Sequence, residues 1–390
     1  MKILIVHQHF NTPEKGGALR SYFLASALIE HGHEVVVITG HNQSEASTAF
    51  HNGILVHYLP VPYDNAFGFY KRIRAFLKFI VLACKTVVAQ QEVGRCYAMS
   101  TPLTVGLVGI WLKWRRKVPF IFEVGDLWPE APIQLGFIKN PILKFLLKRL
   151  EHFIYSQSSG VVALSVPMKK IIEQQVPGKK VSLLPNMADL DFFKPENKNE
   201  ALERKFGVKD RFVMSYIGSI GFANGLEFML DCARITERAN LPVTFLFCGE
   251  GAVLDSLKET TKKLAIHDVV FVPFSNREGV REVMNVTDAV FISYRNKPVL
   301  ETGSPNKYFD GLAAGKLIIT NFNGWIKEDI ESYQCGFVVD YYKPEYLVKQ
   351  LQPYLEDKNV LLKAQENAFV LSKKYSRTKL GEEYVKMMTQ

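Results

Sequence analysis

The sequence predicts an α/β fold: two doubly wound, parallel-sheet domains facing each other across a cleft. Three observations predict it. Short apolar runs alternate with helical patterns through nearly all of the 390 residues, and such alternation sets parallel strands between helices on both faces. The rhythm runs through one cycle, then restarts after about residue 208 with "RFVMSYIG". A charged stretch, "FKPENKNEALERKFGVKDR", separates the cycles and reads as a linker with a short helix. The length itself favours two domains.

In the first cycle "KILIVH" precedes a helical pattern near Gly17–His31, and "HEVVVIT" follows it. "VPFIFEV", "GVVALS" and "VSLLP" continue the series. The second cycle runs "RFVMSYIG", "VTFLFCG", "VVFVPF", "AVFISY", "LIITN" and "GFVVD". The tail, "KKYSRTKLGEEYVKMMTQ", is a helix pattern with no strand after it.

Composition narrows the classes. Hydrophobic residues make up 47% and charged residues 22%, which excludes a disordered chain. Five scattered cysteines show no CxxC spacing and read as buried thiols in a reducing compartment. "MKILIVHQHF" is a strand pattern too short for a signal peptide. The best membrane-span attempt, "AFLKFIVLACKTVVA", is broken by Lys78 and Lys85. A cytoplasmic, non-integral protein is therefore expected. The net charge of +9 is uneven: residues 65–120 hold ten Lys/Arg against Glu92. With interleaved aromatics, "FGFYKRIRAFLKFIVLACK" and "FIKNPILKFLLKRLEHF" suit a membrane interface rich in anionic lipid, or equally core helices with a solvated basic rim. A nucleic-acid partner is not expected, because no recognition motif is present.

Open parallel sheets bind ligands beyond the carboxyl ends of their strands, so the chemistry is sought there. After the first strand, Gly16 and Gly17 precede a helix, with Arg20 one turn in. Backbone N–H groups there suit a phosphate or a sugar, and a plain glycine turn explains the residues as well. The pattern is not GxGxxG, and the second strand ends at Thr39-Gly40 without the acidic residue a nicotinamide cofactor needs. In the second cycle Gly218 and Gly221 sit in a strand–turn–helix context that suits a diphosphate. Gly249 and Gly251 repeat it after the next strand, where tight turns are an equal explanation.

The stretch "ETGSPNKYFDGLAAGK" carries the sharpest signal. Ser304 suits an N-cap and Pro305 the first helical position, with Tyr308, Phe309, Leu312 and Ala313 as the core face. Lys307 then falls in the first turn, where the helix dipole disfavours a cation by about 0.3–1 kcal/mol. A bound anion reverses that sign, taking N–H groups and ammonium together. Asn306 and Asp310 share a face beside Lys307; Asp310 suits a ribose diol and Glu301 a sugar. The plain alternative is a surface lysine paired with Asp310. In "FEVGDLWPEAPIQLG", Asp126 and Glu130 are carboxylates at the cleft edge beside Trp128. Asp126 suits an acceptor orienter, a proton acceptor or simply a helix cap. His7 and His9 lack a metal partner and read as lining or core.

These residues together resemble a family. "GG" after the first strand, "DLWPE", "LPNMADLDFF", "YIGSIGFANGLE", "FCGEG" and "SPNKYFDGLAAGK" are similar to the retaining, GT-B-fold glycosyltransferases of family 4, nearly throughout the chain. Within that family the resemblance is to bacterial enzymes of O-antigen or capsule synthesis, including amino-sugar transferases. It implies an acceptor-binding domain over 1–190, a nucleotide-sugar domain over 191–372, and a final helix, about 373–390, crossing back. It implies a UDP-sugar donor (possibly of an N-acetylated amino or deoxy sugar), a polyprenyl-diphosphate-linked or other lipid-linked glycan acceptor, work at the inner face of the cytoplasmic membrane, and no cofactor or metal. On this reading Asp126, Glu130 and Lys307 are catalytic. Gly17, Gly218, Gly221, Glu301, Ser304, Asn306, Lys307 and Asp310 bind the donor, and Gly16, Arg20 and Trp128 bind the acceptor.

The sequence departs from the family in three places. Of the family's Glu–x7–Glu pair, the first position is Thr302 and the second Asp310. Its diphosphate-clamping lysine position is Asn224, with no arginine in "GSIGFANG", which makes Lys307 the replacement cation. A histidine common in relatives before the aspartate of "DLW" is Gly125. Two other functions stay open: a nucleotide-sugar epimerase or hydrolase on the same fold, and a non-catalytic glycan-binding module.

Overall fold

The structure, a computed structural model, describes residues 1–64, 67–274 and 276–390. The chain divides into two compact units. Unit 1 comprises Met1–Pro185, Thr302–Ser304 and Thr378–Gln390; unit 2 comprises Asn186–Glu301 and Pro305–Arg377.

In unit 1 the elements are β1 (Lys2–Val6), α1 (Arg20–Glu30), β2 (Glu34–His41), β3 (Ser47–His51), β4 (Ile54–Pro60), α2 (Phe69–Ala89), β5 (Val93–Met99), α3 (Val105–Arg116), β6 (Phe120–Val124), α4 (Glu130–Gln134), α5 (Pro141–Gln157), β7 (Gly160–Ala163), α6 (Val166–Gln175) and β8 (Val181–Leu183). The strands form an eight-stranded sheet in the order β3-β4-β2-β1-β5-β6-β7-β8. All pairs are parallel except β3–β4, an antiparallel hairpin turned at Asn52 and Gly53, both at positive φ. Central strands read as apolar runs because helices cover both faces: Ile3–Val6 and Val35–Ile38 are all buried. The first helix starts at Arg20, not near Gly17, because Gly16 and Gly17 take left-handed φ values of 71° and 82°.

In unit 2 the elements are α7 (Glu200–Phe206), β9 (Phe212–Ile217), α8 (Glu227–Arg238), β10 (Val243–Cys248), α9 (Leu254–Lys263), β11 (Val269–Val272), α10 (Arg277–Val286), β12 (Ala289–Ile292), α11 (Asn306–Ala313), β13 (Leu317–Thr320), α12 (Trp325–Tyr333), β14 (Gly336–Val338), α13 (Tyr346–Glu356) and α14 (Lys358–Ser372). The strands form a six-stranded, all-parallel sheet in the order β11-β10-β9-β12-β13-β14. The last helix, α15 (Arg377–Thr389), belongs to unit 1 for all but its first residue. Tyr384 meets Tyr97 edge to face at 4.9 Å, and Arg95 donates to the Met387 carbonyl at 3.1 Å.

Each sheet starts in its middle. β1 lies between β2 and β5, and β9 lies between β10 and β12, so strand order reverses at both first strands. The turns after β1 and β9 therefore open at the switch points where doubly wound sheets hold their ligands. Helix α11 is seated by its neighbours: Tyr308, Phe309, Leu312 and Ala313 are buried, and Tyr308 donates to Asp329 of α12 at 3.1 Å. Tyr375 and Lys374 donate to the same carboxylate.

Candidate functional site

In unit 2 the chain leaves β9 through Tyr216 and turns at Gly218, whose φ is 137°. The turn is braced from three sides. Tyr216 Oη donates to the Ser219 carbonyl at 2.6 Å, and Asn224 Nδ2 donates to the same oxygen at 2.9 Å. From below, Gly249 and Gly251 press against it: a Cβ on Gly249 would fall 1.9 Å from Gly218 O, and one on Gly251 would fall 2.4 Å from Ile220 O. The "FCGEG" glycines thus serve close backbone packing under the turn. Gly221 opens a 3-10 turn over Phe222–Asn224. Arg295, after β12, clamps that turn: Nε donates to Phe222 O at 2.6 Å, Glu227 pairs with it at 2.8 Å, and its guanidinium lies 3.9 Å over the Phe222 ring.

Lys307 comes to this turn from α11. Its Nζ donates to Tyr216 Oη at 3.0 Å and sits 4.2 Å over the Tyr216 ring centroid. A Cβ on Gly218 would lie 3.2 Å from Lys307 Cε and 3.6 Å from Nζ, so the bare glycine makes room for the lysine. Among the described residues no carboxylate comes within 4.0 Å of Nζ, so Lys307 is not the ion-paired surface lysine of the plain alternative. Desolvation pulls its pKa down to about 7, with Asp310 opposing. Desolvation lifts Asp310 to about 7; Arg277 and Lys307 hold it down, and Asp189 adds to the rise. Asn306 is exposed at the start of α11.

The helix end differs from the sequence expectation. Pro305, extended at φ −73° and ψ 131°, occupies the N-cap, and no side chain caps the helix. Ser304 is buried one residue before that N-cap position. Glu301 lies in a 3-10 turn over Leu300–Thr302, where its backbone carbonyl packs 3.0 Å from the place of a Gly324 Cβ.

In unit 1, Gly16 N donates to Thr12 O at 3.1 Å, and Gly17 lies exposed before α1, whose first turn has neither a side-chain cap nor an acidic residue. Arg20, expected at the acceptor, is engaged inside unit 1. It forks onto buried Glu123 (2.7–3.0 Å) and donates to the Leu184 and Pro185 carbonyls at 2.8 and 2.6 Å. Glu123 also accepts from Tyr97 at 2.5 Å. A buried carboxylate must be paired, and this pairing takes up the guanidinium. His7 bonds Ser21 at 2.8 Å; burial, with His9 and Arg20 nearby, pushes its pKa to about 3. Burial pushes His9 to about 4, so both rings are neutral at pH 7.

Asp126 follows β6 and is exposed to solvent, yet desolvation by the surrounding chain raises its pKa. It caps no helix, because α4 begins at Glu130 with Pro129 in the N-cap. Gly125 is closely packed: a Cβ would lie 3.0 Å from Ser100 O, so a side chain there needs the neighbouring backbone to give. Trp128 is half-buried. Glu130 is engaged by Gln134 at 2.9 Å and Lys148 at 3.3 Å, and hydrogen bonding to Gln134 leads in lowering its pKa. Among the described residues no three His, Cys, Asp or Glu side chains gather as a metal set.

The structure thus brings Gly218, Gly221, Lys307 and Asp310 to one end of the unit 2 sheet, and Gly16, Gly17 and Asp126 follow strands of unit 1. Sequence reading missed Tyr216, Arg277 and Arg295, which lie on elements distant in the chain. An aromatic residue just before a turn glycine was the one available signal, at Tyr216.

Comparison with known proteins agrees with this geometry. Residues 15–187 match a Glycosyl transferase 4-like domain, and residues 198–370 match Glycosyl transferases group 1. The probable glycosyltransferase WbjE of Pseudomonas aeruginosa is 24% identical over 151 residues, 38% of this chain and 37% of that protein. The UDP-Gal:alpha-D-GlcNAc-diphosphoundecaprenol alpha-1,3-galactosyltransferase of Escherichia coli is 24% identical over 244 residues, 60% of this chain and 61% of that protein. The matched regions thus span less than two thirds of either relative. The fold superposes on HepE of Anabaena in complex with UDP-glucose (TM-score 0.73, 17% identity, 100% and 99% of the chains). It also superposes on WaaG, a glycosyltransferase involved in lipopolysaccharide biosynthesis (TM-score 0.70, 15% identity, 100% of both chains). With both halves matched and two parallel-sheet domains in place, the chain belongs to the family 4 glycosyltransferases, a 4-like domain followed by a group 1 domain on the GT-B fold.

Proposed function

We propose that this glycosyltransferase moves a sugar, with retention at the anomeric carbon, from a UDP-sugar to a hydroxyl of a lipid-linked glycan in surface-polysaccharide synthesis. The observation that carries the reading is Lys307, held at the Gly218 turn with no carboxylate within 4.0 Å of its Nζ among the described residues. Such a site lacks an anion, and a diphosphate supplies one. HepE was captured with UDP-glucose on the same fold, and the E. coli relative's name specifies a UDP-sugar and a diphosphoundecaprenol acceptor.

In this reading the Gly218 turn, whose own N–H is donated to Cys248 O at 2.9 Å, brings the Gly221 backbone N–H to the diphosphate, Asp310 accepts from the ribose diol, and Asn306 and Glu301 reach toward the donor. The C1–O bond to phosphate breaks as the acceptor oxygen attacks C1 on the same face, and a departing phosphate oxygen takes the hydroxyl proton. Lys307 and the turn stabilise the charge developing on the diphosphate, the largest catalytic contribution in such sites. Asp126 orients the acceptor hydroxyl, with Gly16 and Trp128 beside the acceptor.

A membrane-borne acceptor fits the surface of unit 1. Along α2 the face Ala75, Phe79, Ala83 and Val87 is buried, while Tyr70, Ile73, Leu77 and Val81 are exposed among Lys71, Arg74, Lys78 and Lys85. On α5, Ile142, Phe145 and Leu146 are exposed beside Lys144, Lys148 and Arg149. Basic, aromatic helices of this kind lie in an interface and attract anionic lipid. No described helix is long and apolar enough to cross a membrane. In this reading the basic, aromatic surface attaches peripherally, at the inner face.

Titration calorimetry with UDP on the wild type and Lys307→Ala tests the donor reading: wild type binds, and the variant binds at least roughly tenfold more weakly. No binding by wild type, or equal binding by both, sinks it. Rapid release of free UDP from donor alone would favour hydrolysis instead.

A further inference from the structure

We propose that Tyr216 is a positioning residue of the donor site: its phenol oxygen holds the Lys307 ammonium at the Gly218 turn before a diphosphate arrives and while it binds the remaining N–H groups. The inference rests on the donor reading above and adds to it how the cation is kept ready.

The hydrogen-bond directions carry the argument. Tyr216 Oη donates its only hydrogen to the Ser219 carbonyl at 2.6 Å. Toward Lys307 the oxygen can only accept, and Nζ donates to it at 3.0 Å. The Tyr216 ring, fully buried, lies 4.2 Å beneath the same ammonium, so its π face adds a second attraction. Because the ring is locked in the core, the oxygen cannot swing away, and the long lysine side chain is ordered before the ligand arrives.

The chemistry of the partner matters. A carboxylate beside Nζ would have to be displaced by the incoming diphosphate at a loss. A neutral phenol holds one N–H of the ammonium and leaves its charge and its other N–H groups to the diphosphate. The other charged and titratable groups stand further off: Asp310 one turn along α11, Arg277 of α10 and Asp189 next to Asp310, and Tyr294 after β12 next to Tyr216. The phenol also joins lysine and turn into one unit, because Ser219, its other partner, sits in the loop that Gly218 opens. A shift of the turn therefore shifts the cation with it.

The test is a double-mutant cycle on UDP affinity, with Tyr216→Phe, Lys307→Ala and the pair, and with Ser219→Ala as a control that keeps the carbonyl. Tyr216→Phe keeps the core volume, and the Ser219 carbonyl it deserts is at an exposed residue that water can serve, so the melting temperature stays near wild type. Tyr216→Phe is expected to weaken UDP binding roughly tenfold, the cost of ordering the lysine side chain only when the ligand binds. In the Lys307→Ala background the same change is expected to cost nothing further. The decline of affinity above neutral pH also moves to lower pH in Tyr216→Phe, because the ammonium has lost an acceptor. Wild-type affinity in Tyr216→Phe, or the same loss in both backgrounds, overturns the proposal while a weakened Lys307→Ala leaves the donor reading standing. Equal UDP binding by Lys307→Ala and wild type overturns both.

Discussion

Gly249 sits so close under Gly218 that a Cβ would fall 1.9 Å from the Gly218 carbonyl oxygen, with Gly249 itself at φ 154°. Neither partner is a flexible side-chain end, so any larger residue must move backbone. Gly249→Ala is expected to lower unit 2 stability by about 2–3 kcal/mol, through overpacking and a strained φ. For a domain of this size that is roughly 4–12 °C in melting temperature. UDP affinity should fall with it, since the displaced turn carries Gly218. A variant that melts and binds like wild type would show that the turn has slack to give.

Lys307 and Asp310 both titrate near 7, and the sign is the same for both. At pH 6 the lysine is charged and the aspartic acid neutral; at pH 8 the reverse holds. The charge of this pair thus drops from positive to negative across that interval. UDP affinity should fall as pH rises from 6.5 to 8.5, even though UDP itself gains negative charge early in that range. Calorimetry across the range reads this directly, and a flat or rising profile contradicts it.

Arg20 and Glu123 are a buried pair, with side chains 9% and 2% exposed. Arg20→Ala strands the carboxylate and should cost about 3–5 kcal/mol. Thermal unfolding would register this as a loss on the order of 10 °C. Arg20→Lys keeps a charge but not the fork, and should fall between the two. Wild-type stability in Arg20→Ala, with a loss confined to acceptor use, would return Arg20 to the acceptor site.

Asp126 and Glu130 are distinguishable. Asp126→Asn should reduce transfer roughly a hundredfold, the cost of a misplaced acceptor hydroxyl, and leave UDP affinity unchanged. Glu130→Gln should reduce transfer far less, because Glu130 is already occupied by Lys148 and Gln134. Turnover with a synthetic lipid-linked acceptor decides; equal losses would make Glu130 a partner in the chemistry.

Flotation with vesicles containing anionic phospholipid tests the unit 1 surface. Phe145→Glu with Leu146→Glu should release the protein from vesicles, and neutral vesicles should hold wild type weakly, since about 1 kcal/mol per basic residue near the surface is lost. UDP binding should be untouched. Retention of the double variant on the vesicles removes α5 from the interface.

The fold was legible because strand and helix periodicities are local. Each strand of the second cycle appears where its apolar run stands, from Phe212 to Val338. The core face of α11 was legible for the same reason. Its cap was not: Ser304 and Pro305 carry the right chemistry one residue out of register, and only backbone angles settle which residue leaves the helix. The pairing of Arg20 was not legible because its partner Glu123 lies 103 residues away, inside the otherwise apolar strand "FIFEV". Tyr216 was passed over for the same reason in reverse: it looks like any strand aromatic until Lys307, 91 residues later, arrives above it.

The return of α15 sets an order on biosynthesis. Leu380, Tyr384, Val385 and Met388 fill the interior of the unit that begins with Met1, so ribosomal synthesis must traverse the whole of unit 2 before those side chains emerge. Until then the nascent amino-terminal half waits with an open flank around Tyr97, in need of protection from neighbours, while the later half can already settle.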